Sequence, residues 1–215
     1  MTIDPTSEQH TLYYAHDPMC SWCWGFKPHW QQLRDALPAC VKTQYVVGGL
    51  APDTDQPMPE EMQQMLQQTW HLIAQTIPGT EFNHDFWTLN QPRRATYPAC
   101  RAVLVAKAQD DALEDQMIAA IQQAYYLNAK NPSDDNVLIE LAGEIGCDVN
   151  SFKQSLNSAI TFESLKEQIV FARKLGAQGF PSLFFEVVGK SPVPLVLSYT
   201  NPHSVVTQIE SVIAS

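Results

Sequence analysis

The chain has few basic residues and no long apolar run. Its 215 residues include 13 Lys and Arg against 23 Asp and Glu, which gives a formal net charge of −10. This balance argues against a protein that binds nucleic acid or anionic membranes non-specifically. No run of about 18 apolar residues occurs, so the sequence predicts no transmembrane helix. The hydrophobic content of 45% is that of a globular protein with a sizeable core.

The N-terminal ten residues also lack the basic and apolar regions of a secretory signal peptide. We therefore expect a cytoplasmic location. Three of the five cysteines, Cys40, Cys100 and Cys147, are scattered singly along the chain, which suits a reducing compartment. Each of the three is expected to be a small core residue.

The sequence does contain one pair of cysteines three residues apart, Cys20 and Cys23. Residues 11–15 before the pair are rich in β-formers, and apolar residues recur at helical spacing after it. Positions i and i+3 on a helix lie close enough for a disulfide with modest adjustment. The free N–H groups of a first helical turn favour an anion. Cys20 is therefore the expected nucleophile, and Cys23 the expected resolving thiol.

Three other interpretations of this pair remain open. A structural zinc site needs four ligands, and the sequence has no second CxxC and no H-x3-5-H motif. A static disulfide at this spacing closes only a short loop and stabilises little. The pair could also be two ordinary buried cysteines. A CxxC motif near a βα pattern is nevertheless typical of thioredoxin-like redox proteins.

The order of predicted elements indicates an α/β fold. Strand patterns cover residues 11–16, 42–47, 182–188 and 193–199. Helical patterns cover residues 20–37, 58–73, 95–109, 113–129, 134–145, 151–156, 162–175 and 201–213, with Pro28 inside the first helix. The order β-α-β, many helices, β-β-α predicts that 1–56 and 177–215 form one domain, interrupted by a helical insertion at 57–176.

A second chemical element precedes the third predicted strand. Residues 179–182 read Gly-Phe-Pro-Ser, so a proline stands at the start of a strand. Only about 5–6% of X–Pro bonds in folded proteins are cis. Given the CxxC helix start and the strand order, we nevertheless expect the Phe180–Pro181 bond to be cis.

The chain resembles the DsbA-like branch of the thioredoxin superfamily, in particular the FrnE-like proteins. The resemblance is carried by the motifs Cys20-Ser21-Trp22-Cys23-Trp24-Gly25 and Gly179-Phe180-Pro181-Ser182 and by the helical insertion between them. The resemblance spans nearly the whole chain. It implies a thioredoxin fold and thiol–disulfide exchange on protein substrates, with Cys20, Cys23 and Pro181 as catalytic residues and no cofactor or metal. Glutathione or thioredoxin would be the electron partner.

The residues around the thiols carry further expectations. Trp22, Trp24, Phe180 and Ser182 are candidate substrate-binding residues, the last two through a strand-like backbone edge. Trp24 is also a candidate core residue, together with Phe26.

The chain departs from the family pattern at one position. Members often bury an acid six residues before the first cysteine, where this chain has Tyr14. Asp17 and Glu186 are acids expected near the site, whereas His16 is expected to be a solvated loop residue. The group that deprotonates Cys23 is therefore left open, with a water route as one option.

Two other functions compete with a protein thiol–disulfide oxidoreductase. The first is a glutathione-dependent, kappa-type transferase or isomerase similar to 2-hydroxychromene-2-carboxylate isomerase. Such enzymes share the interrupted fold but lack the CxxC pair. The second is a non-enzymatic holdase chaperone that shelters unfolded chains on an apolar rim formed by Trp22, Trp24 and Phe26.

Overall fold

A computed structural model describes residues 9–201 and 203–214. The expectation about the N-terminal segment therefore falls largely outside the described residues, as does Pro202 at the start of the last predicted helix. The elements follow the predicted order. The strands are β1 (His10–His16), β2 (Val41–Val47), β3 (Ser182–Glu186) and β4 (Val193–Leu195). The helices are α1 (Ser21–Asp35), α2 (Glu60–Thr76), α3 (Phe86–Leu89), α4 (Tyr97–Gln109), α5 (Ala112–Tyr126), α6 (Asp135–Glu144), α7 (Val149–Leu156), α8 (Ala159–Leu175) and α9 (His203–Ile213).

The four strands form a single sheet in the order β2-β1-β3-β4. β1 pairs with β2 in parallel, as a β-α-β crossover through α1 requires. β1 pairs with β3 antiparallel, and the last pair in that register joins Ala15 to Ser182. The carboxyl end of β1, which leads into the cysteines, therefore lies beside the start of β3. The predicted thioredoxin fold with a helical insertion is confirmed.

Successive residues of β1 point to opposite faces of the sheet, because the side-chain period of a strand is two. Leu12 and Tyr14 pack with Phe26, Trp30 and Leu33 of α1 and with α9. Tyr13 and Ala15 pack on the other face with Ala172 of α8 and Phe184. A third and larger cluster fills the helical region and includes Met19 and Val47 from the sheet side. The thiols thus lie where the sheet meets the inserted helices.

Several element boundaries differ from the prediction. β4 ends at Leu195 instead of extending to 199, because the side chain of Gln208 in α9 hydrogen-bonds the backbone of Val196 in place of a neighbouring strand. Its Oε1 accepts from the Val196 N–H at 2.8 Å, and its Nε2 donates to the Val196 carbonyl at 2.9 Å. α8 begins three residues early, since the side chain of Ser158 caps it by accepting from the Thr161 N–H. The aromatic segment 81–90 contains the short helix α3.

Of the three scattered cysteines, Cys100 and Cys147 are buried as expected. Cys40 is only half-buried, so its placement in the core was wrong. It lies in the turn before β2, where its carbonyl accepts from the His10 N–H at 2.8 Å. None of the described helices combines the length and the apolarity that a membrane span requires.

Candidate redox site

Cys20 caps the N-terminus of α1. Its backbone is extended, with φ −79° and ψ 117°, and its sulfur accepts from the backbone N–H of Cys23 at 3.4 Å. The same sulfur lies 3.3 Å from the carbonyl oxygen of Phe180. Cys20 is 6% exposed, whereas Cys23 is fully buried. Both thiols are unbonded in this structure. The outer thiol is therefore placed to meet a partner, with the inner thiol one turn behind it.

The Phe180–Pro181 peptide bond is cis, which confirms the expectation. The β1–β3 register explains its position, because Ser182 pairs with Ala15, five residues before Cys20. Ser182 is half-buried, and its hydroxyl donates to the Gly179 carbonyl at 2.7 Å. The ring of Phe180 packs on Gly48, where an added Cβ would lie 1.8 Å from the ring. Phe180 therefore faces Cys20 with its backbone carbonyl, while its ring packs inward.

Burial dominates the environment of Cys23 and raises the pKa of its thiol well above the usual range. The hydrogen bond and negative charge shared with Cys20 raise this pKa further, whereas a backbone hydrogen bond from Asp17 lowers it. Tyr14 occupies the position where related proteins often bury an acid, and its hydroxyl hydrogen-bonds with Cys23. Burial also raises the pKa of Tyr14 well above 10. This hydroxyl is a hydrogen-bond partner of the thiol and a poor proton acceptor.

Asp17 lies near the thiols, as expected, but its carboxylate is committed to other groups. Its Oδ1 accepts from the Met19 N–H at 2.8 Å. Its Oδ2 accepts from the Leu50 N–H at 2.7 Å and from the Thr96 hydroxyl at 2.6 Å, with the Cys100 thiol at 3.5 Å. Burial raises the pKa of Asp17, and these hydrogen bonds oppose the rise. The carboxylate therefore ties the active loop to the β2–α2 connection and to α4.

Two expectations about titratable neighbours were wrong. His16 is the last residue of β1 and is only 1% exposed, because its ring stacks on Tyr14 and meets the ring of Tyr45 edge to face. Glu186 lies at the far end of the β1–β3 pairing, opposite Thr11, where it accepts from the Tyr13 hydroxyl at 2.6 Å. The antiparallel direction of β3 carries Glu186 away from the thiols.

Trp22 and Trp24 are both half-buried but make different contacts. Trp22 is half-buried, and its ring centroid lies 5.2 Å from that of Tyr199. Trp24 stacks on Tyr126 of α5 and donates from its indole N–H to the Glu81 carbonyl at 3.0 Å. Phe26 is fully buried, as expected. Trp24 therefore anchors α1 to the helical region, whereas Trp22 is the aromatic residue between the two cysteines at the rim.

The structure adds neighbours that the sequence analysis did not single out. The Tyr126 hydroxyl donates to the Met19 carbonyl at 2.7 Å, which fixes the residue before Cys20 from 107 residues away. A cavity of about 480 Å³ lies behind the site, and its wall includes Cys23, Tyr14, Trp24, Lys27 and Gln122. Of these neighbours, Lys27 could most easily have been found from the sequence, since it stands one helical turn after Cys23. Among the described residues, no three His, Cys, Asp or Glu side chains cluster to hold a metal ion.

A sequence profile described as thioredoxin matches residues 13–195, which is most of the chain. The chain belongs to the thioredoxin family. Within this family its fold resembles solved DsbA-like oxidoreductases, which confirms the expected branch. A structure from Nitrosomonas europaea, described as a candidate protein disulfide isomerase, superposes with a TM-score of 0.83 and 25% identity. That match covers 96% of this chain and 98% of the other.

Another solved structure of similar fold is the cytosolic disulfide reductase DsbM of Pseudomonas aeruginosa, solved with GSH. It superposes with a TM-score of 0.75 at 23% identity, covering 95% of this chain and 100% of the other. Among curated proteins, a ClpXP adapter protein, SpxH, of Bacillus subtilis is 24% identical over 196 residues, or 84% of this chain. The chain spans 64% of that relative's length.

Proposed function

We propose that the chain is a thiol–disulfide oxidoreductase that acts on protein thiols or disulfides through Cys20 and Cys23. The observation that carries the proposal is the placement of Cys20. Its sulfur caps a helix, accepts a hydrogen bond from a backbone N–H and faces the Phe180 carbonyl next to Pro181. Cys23 lies one helical turn further on and is fully buried. This arrangement separates the roles of the two thiols by access.

In the reductive direction, the Cys20 thiolate attacks one sulfur of a substrate disulfide. A mixed disulfide forms and one substrate thiolate leaves. Cys23 then loses its proton and attacks the Cys20 sulfur, so the Cys20–Cys23 bond forms and the second substrate thiolate leaves. Two electrons pass from the dithiol to the substrate. Glutathione or thioredoxin would return them, and the reverse sequence would oxidise a substrate dithiol.

Substrate would approach along the edge formed by Trp22 and the Phe180–Ser182 backbone. Pro181 has no N–H, so it presents no donor beside the thiols. The Phe180 carbonyl already faces Cys20, and a bound peptide would extend this edge by strand-like pairing. The buried thiols of Cys100 and Cys147, together with the likeness to a cytosolic reductase, support activity in a reducing compartment such as the cytoplasm.

A second candidate is an adapter role that recruits another protein, which is favoured by the likeness to SpxH. An adapter needs a binding surface and no electron transfer. The two functions therefore differ in their dependence on the thiols.

The test is to trap substrates in cells. Changing Cys23 to Ser should accumulate mixed disulfides at Cys20, because the resolving step is lost. Non-reducing gels should show a ladder of adducts that reductant removes and that Cys20→Ser abolishes. No adducts after mild diamide stress would count against the oxidoreductase.

The same variants separate the alternatives. Partner binding that survives loss of both thiols would favour the adapter. Unchanged suppression of aggregation in that double variant would favour a holdase. Glutathione-dependent activity that survives Cys23→Ser would favour a kappa-type transferase.

A further inference from the structure

The cavity behind Cys23 lies between α1, the first two strands and α5. It encloses about 480 Å³, within the size range of small-molecule and solvent sites in proteins. Tyr14 and Tyr45 line it from the sheet, Cys23 and Lys27 from α1, and Asp115 and Gln122 from α5. The resolving thiol is therefore fully buried in the protein and yet forms part of a cavity wall.

Two cations line this cavity, and they differ in their partners. Arg34 forms an ion pair with Asp115 at 2.5 Å and donates to the Tyr45 hydroxyl at 3.3 Å. Lys27 has no carboxylate within ion-pair distance in the described part of the chain. Its Nζ lies 5.3 Å from the centroid of the Trp24 ring. Lys27 thus brings to the cavity that Cys23 also lines a positive charge with no direct ion-pair partner among the described residues, and Asp115 acts on it only at longer range.

The buried Cys23 thiol must become a thiolate to attack Cys20, and its surroundings oppose that charge. Three groups approach the Cys23 thiol: Tyr14 from β1, Asp17 from the loop after β1, and Cys20 from the start of α1. Tyr126 of α5 and Tyr199 before α9 also interact with the cysteine pair. The Arg34–Asp115 pair is internally neutral, and the Asp17 carboxylate is held by its own donors. Among these groups, Lys27 supplies the unpaired charge of the opposite sign.

We propose that Lys27 is a positioning residue for the resolving step, whose ammonium group stabilises the Cys23 thiolate across the shared cavity. This inference rests on the proposed function. The Cys23 thiol gives its proton to water in the cavity, and its thiolate attacks the Cys20 sulfur. The Cys20–substrate bond breaks, and its electron pair leaves with the substrate thiolate.

Two further observations support this role. Gln122 is 3% exposed, and its Oε1 has no hydrogen-bond partner among the described residues although it lines the cavity. A buried acceptor of this kind is normally satisfied by a donor such as water. Burial lowers the pKa of Lys27, with Asp115 opposing the change. A charge in such surroundings acts on a neighbouring thiolate more strongly than it would in water.

The experiment follows the two steps of exchange separately. The reduced protein is mixed with 5,5′-dithiobis(2-nitrobenzoate) in a Cys40→Ser background, so that the half-exposed Cys40 does not react. Attack by Cys20 releases the first thionitrobenzoate at a rate that depends on reagent concentration. Attack by Cys23 on the Cys20 sulfur releases the second thionitrobenzoate at a rate that is independent of reagent concentration. Both are followed by stopped-flow absorbance from pH 6 to pH 9.

Lys27→Met should leave the first phase unchanged and slow the second about tenfold at neutral pH, because loss of the ammonium charge raises the pKa of Cys23 further. Lys27→Arg should restore the second phase, because it keeps the charge. Lys153→Met on the exposed face of α7 is the matched control and should change neither phase. Lys27→Gln provides a second neutral variant if Lys27→Met folds poorly.

The outcomes separate the two claims. A wild-type protein that releases no second thionitrobenzoate would overturn the proposed function itself. A wild-type second phase that Lys27→Met and Lys27→Gln leave unchanged would overturn only the role of Lys27. Equal slowing by Lys27→Met and Lys27→Arg would also overturn it, because packing against Trp24 would then explain the effect.

Discussion

His16 is buried as a neutral imidazole between two tyrosine rings. Its ring centroid lies 5.3 Å from those of Tyr14 and Tyr45, and neither ring nitrogen has a hydrogen-bond partner among the described residues. Burial lowers the pKa of His16 from 6.5 to about 3, although the charge of Asp115 opposes the change. Between these two pH values the unfolded chain binds a proton that the folded chain does not. The contribution of His16 to the free energy of unfolding is therefore fully present above pH 6.5 and is lost as the pH falls from 6.5 towards 3.

We predict that His16→Phe makes the protein more resistant to acid. Between pH 7 and pH 5, His16 alone should cost the wild type about 2 kcal/mol of unfolding free energy. The phenyl ring fills a similar volume and does not titrate, so the variant should avoid this loss. Urea unfolding at the two pH values measures it, with His203→Phe on the exposed face of α9 as the control. The same pH-dependent loss in wild type and His16→Phe would refute the account of His16.

Sequence reasoning failed at residue scale wherever a contact joined distant parts of the chain. The Cys20 and Cys23 positions followed from local pattern. The partners of Asp17 did not, because Leu50, Thr96 and Cys100 lie 33, 79 and 83 residues away. His16 was misjudged because its burial depends on Tyr45 of the neighbouring strand. Glu186 was misjudged because its distance from the thiols depends on the direction of β3.

At the scale of elements, the end of β2 supports the segment that leads into β3. Gly48 is buried, and a Cβ there would lie 1.8 Å from the ring of Phe180. The backbone carbonyl of Phe180 faces the Cys20 sulfur at 3.3 Å. The absence of a side chain at Gly48 therefore lets the Phe180 ring pack inward while its backbone borders the thiol.

We predict that Gly48→Ala impairs both stability and exchange. The Phe180 ring must move, which should cost about 1–3 kcal/mol of unfolding free energy, and the displaced backbone should slow attack by Cys20. Gly179→Ala is the matched control, because its added Cβ would meet nothing within 4 Å. Urea unfolding and the rate of mixed-disulfide formation in a Cys23→Ser background give the two readouts. If the two alanine variants behave alike, Gly48 has no special role.

Element boundaries were predictable where the signal was local. The predicted end of α8 at residue 175 agrees with the structure, where Gly176 ends the helix in the left-handed conformation with φ +103°. The cap at Ser158 is also a local signal, but the prediction did not use it and placed the start of α8 three residues too late. The early end of β4 could not be predicted, because the side chain that takes over its backbone belongs to α9.

At the scale of the whole molecule, the order of strands and helices sufficed to predict the topology. The division into 1–56 with 177–215 and 57–176 remains our proposal, and the site lies across that division. Tyr126 holds the Met19 carbonyl, Thr96 holds Asp17, and Trp24 stacks on the inserted helices. The inserted helices therefore form part of the wall behind Cys23, including the cavity that Lys27 shares with Cys23. Neither the cavity nor its charge could be inferred before the helices were placed.

The most direct test of the central claim is the redox equilibrium of the cysteine pair. The protein is equilibrated with buffers of varied reduced and oxidised glutathione, quenched by alkylation and mapped by mass spectrometry. We predict one reversible transition in which a Cys20–Cys23 disulfide replaces both thiols, with the two-electron slope of about 30 mV per tenfold change, while Cys100 and Cys147 stay reduced. A protein in which this disulfide never forms, or in which only a Cys20–glutathione adduct accumulates, would contradict the account.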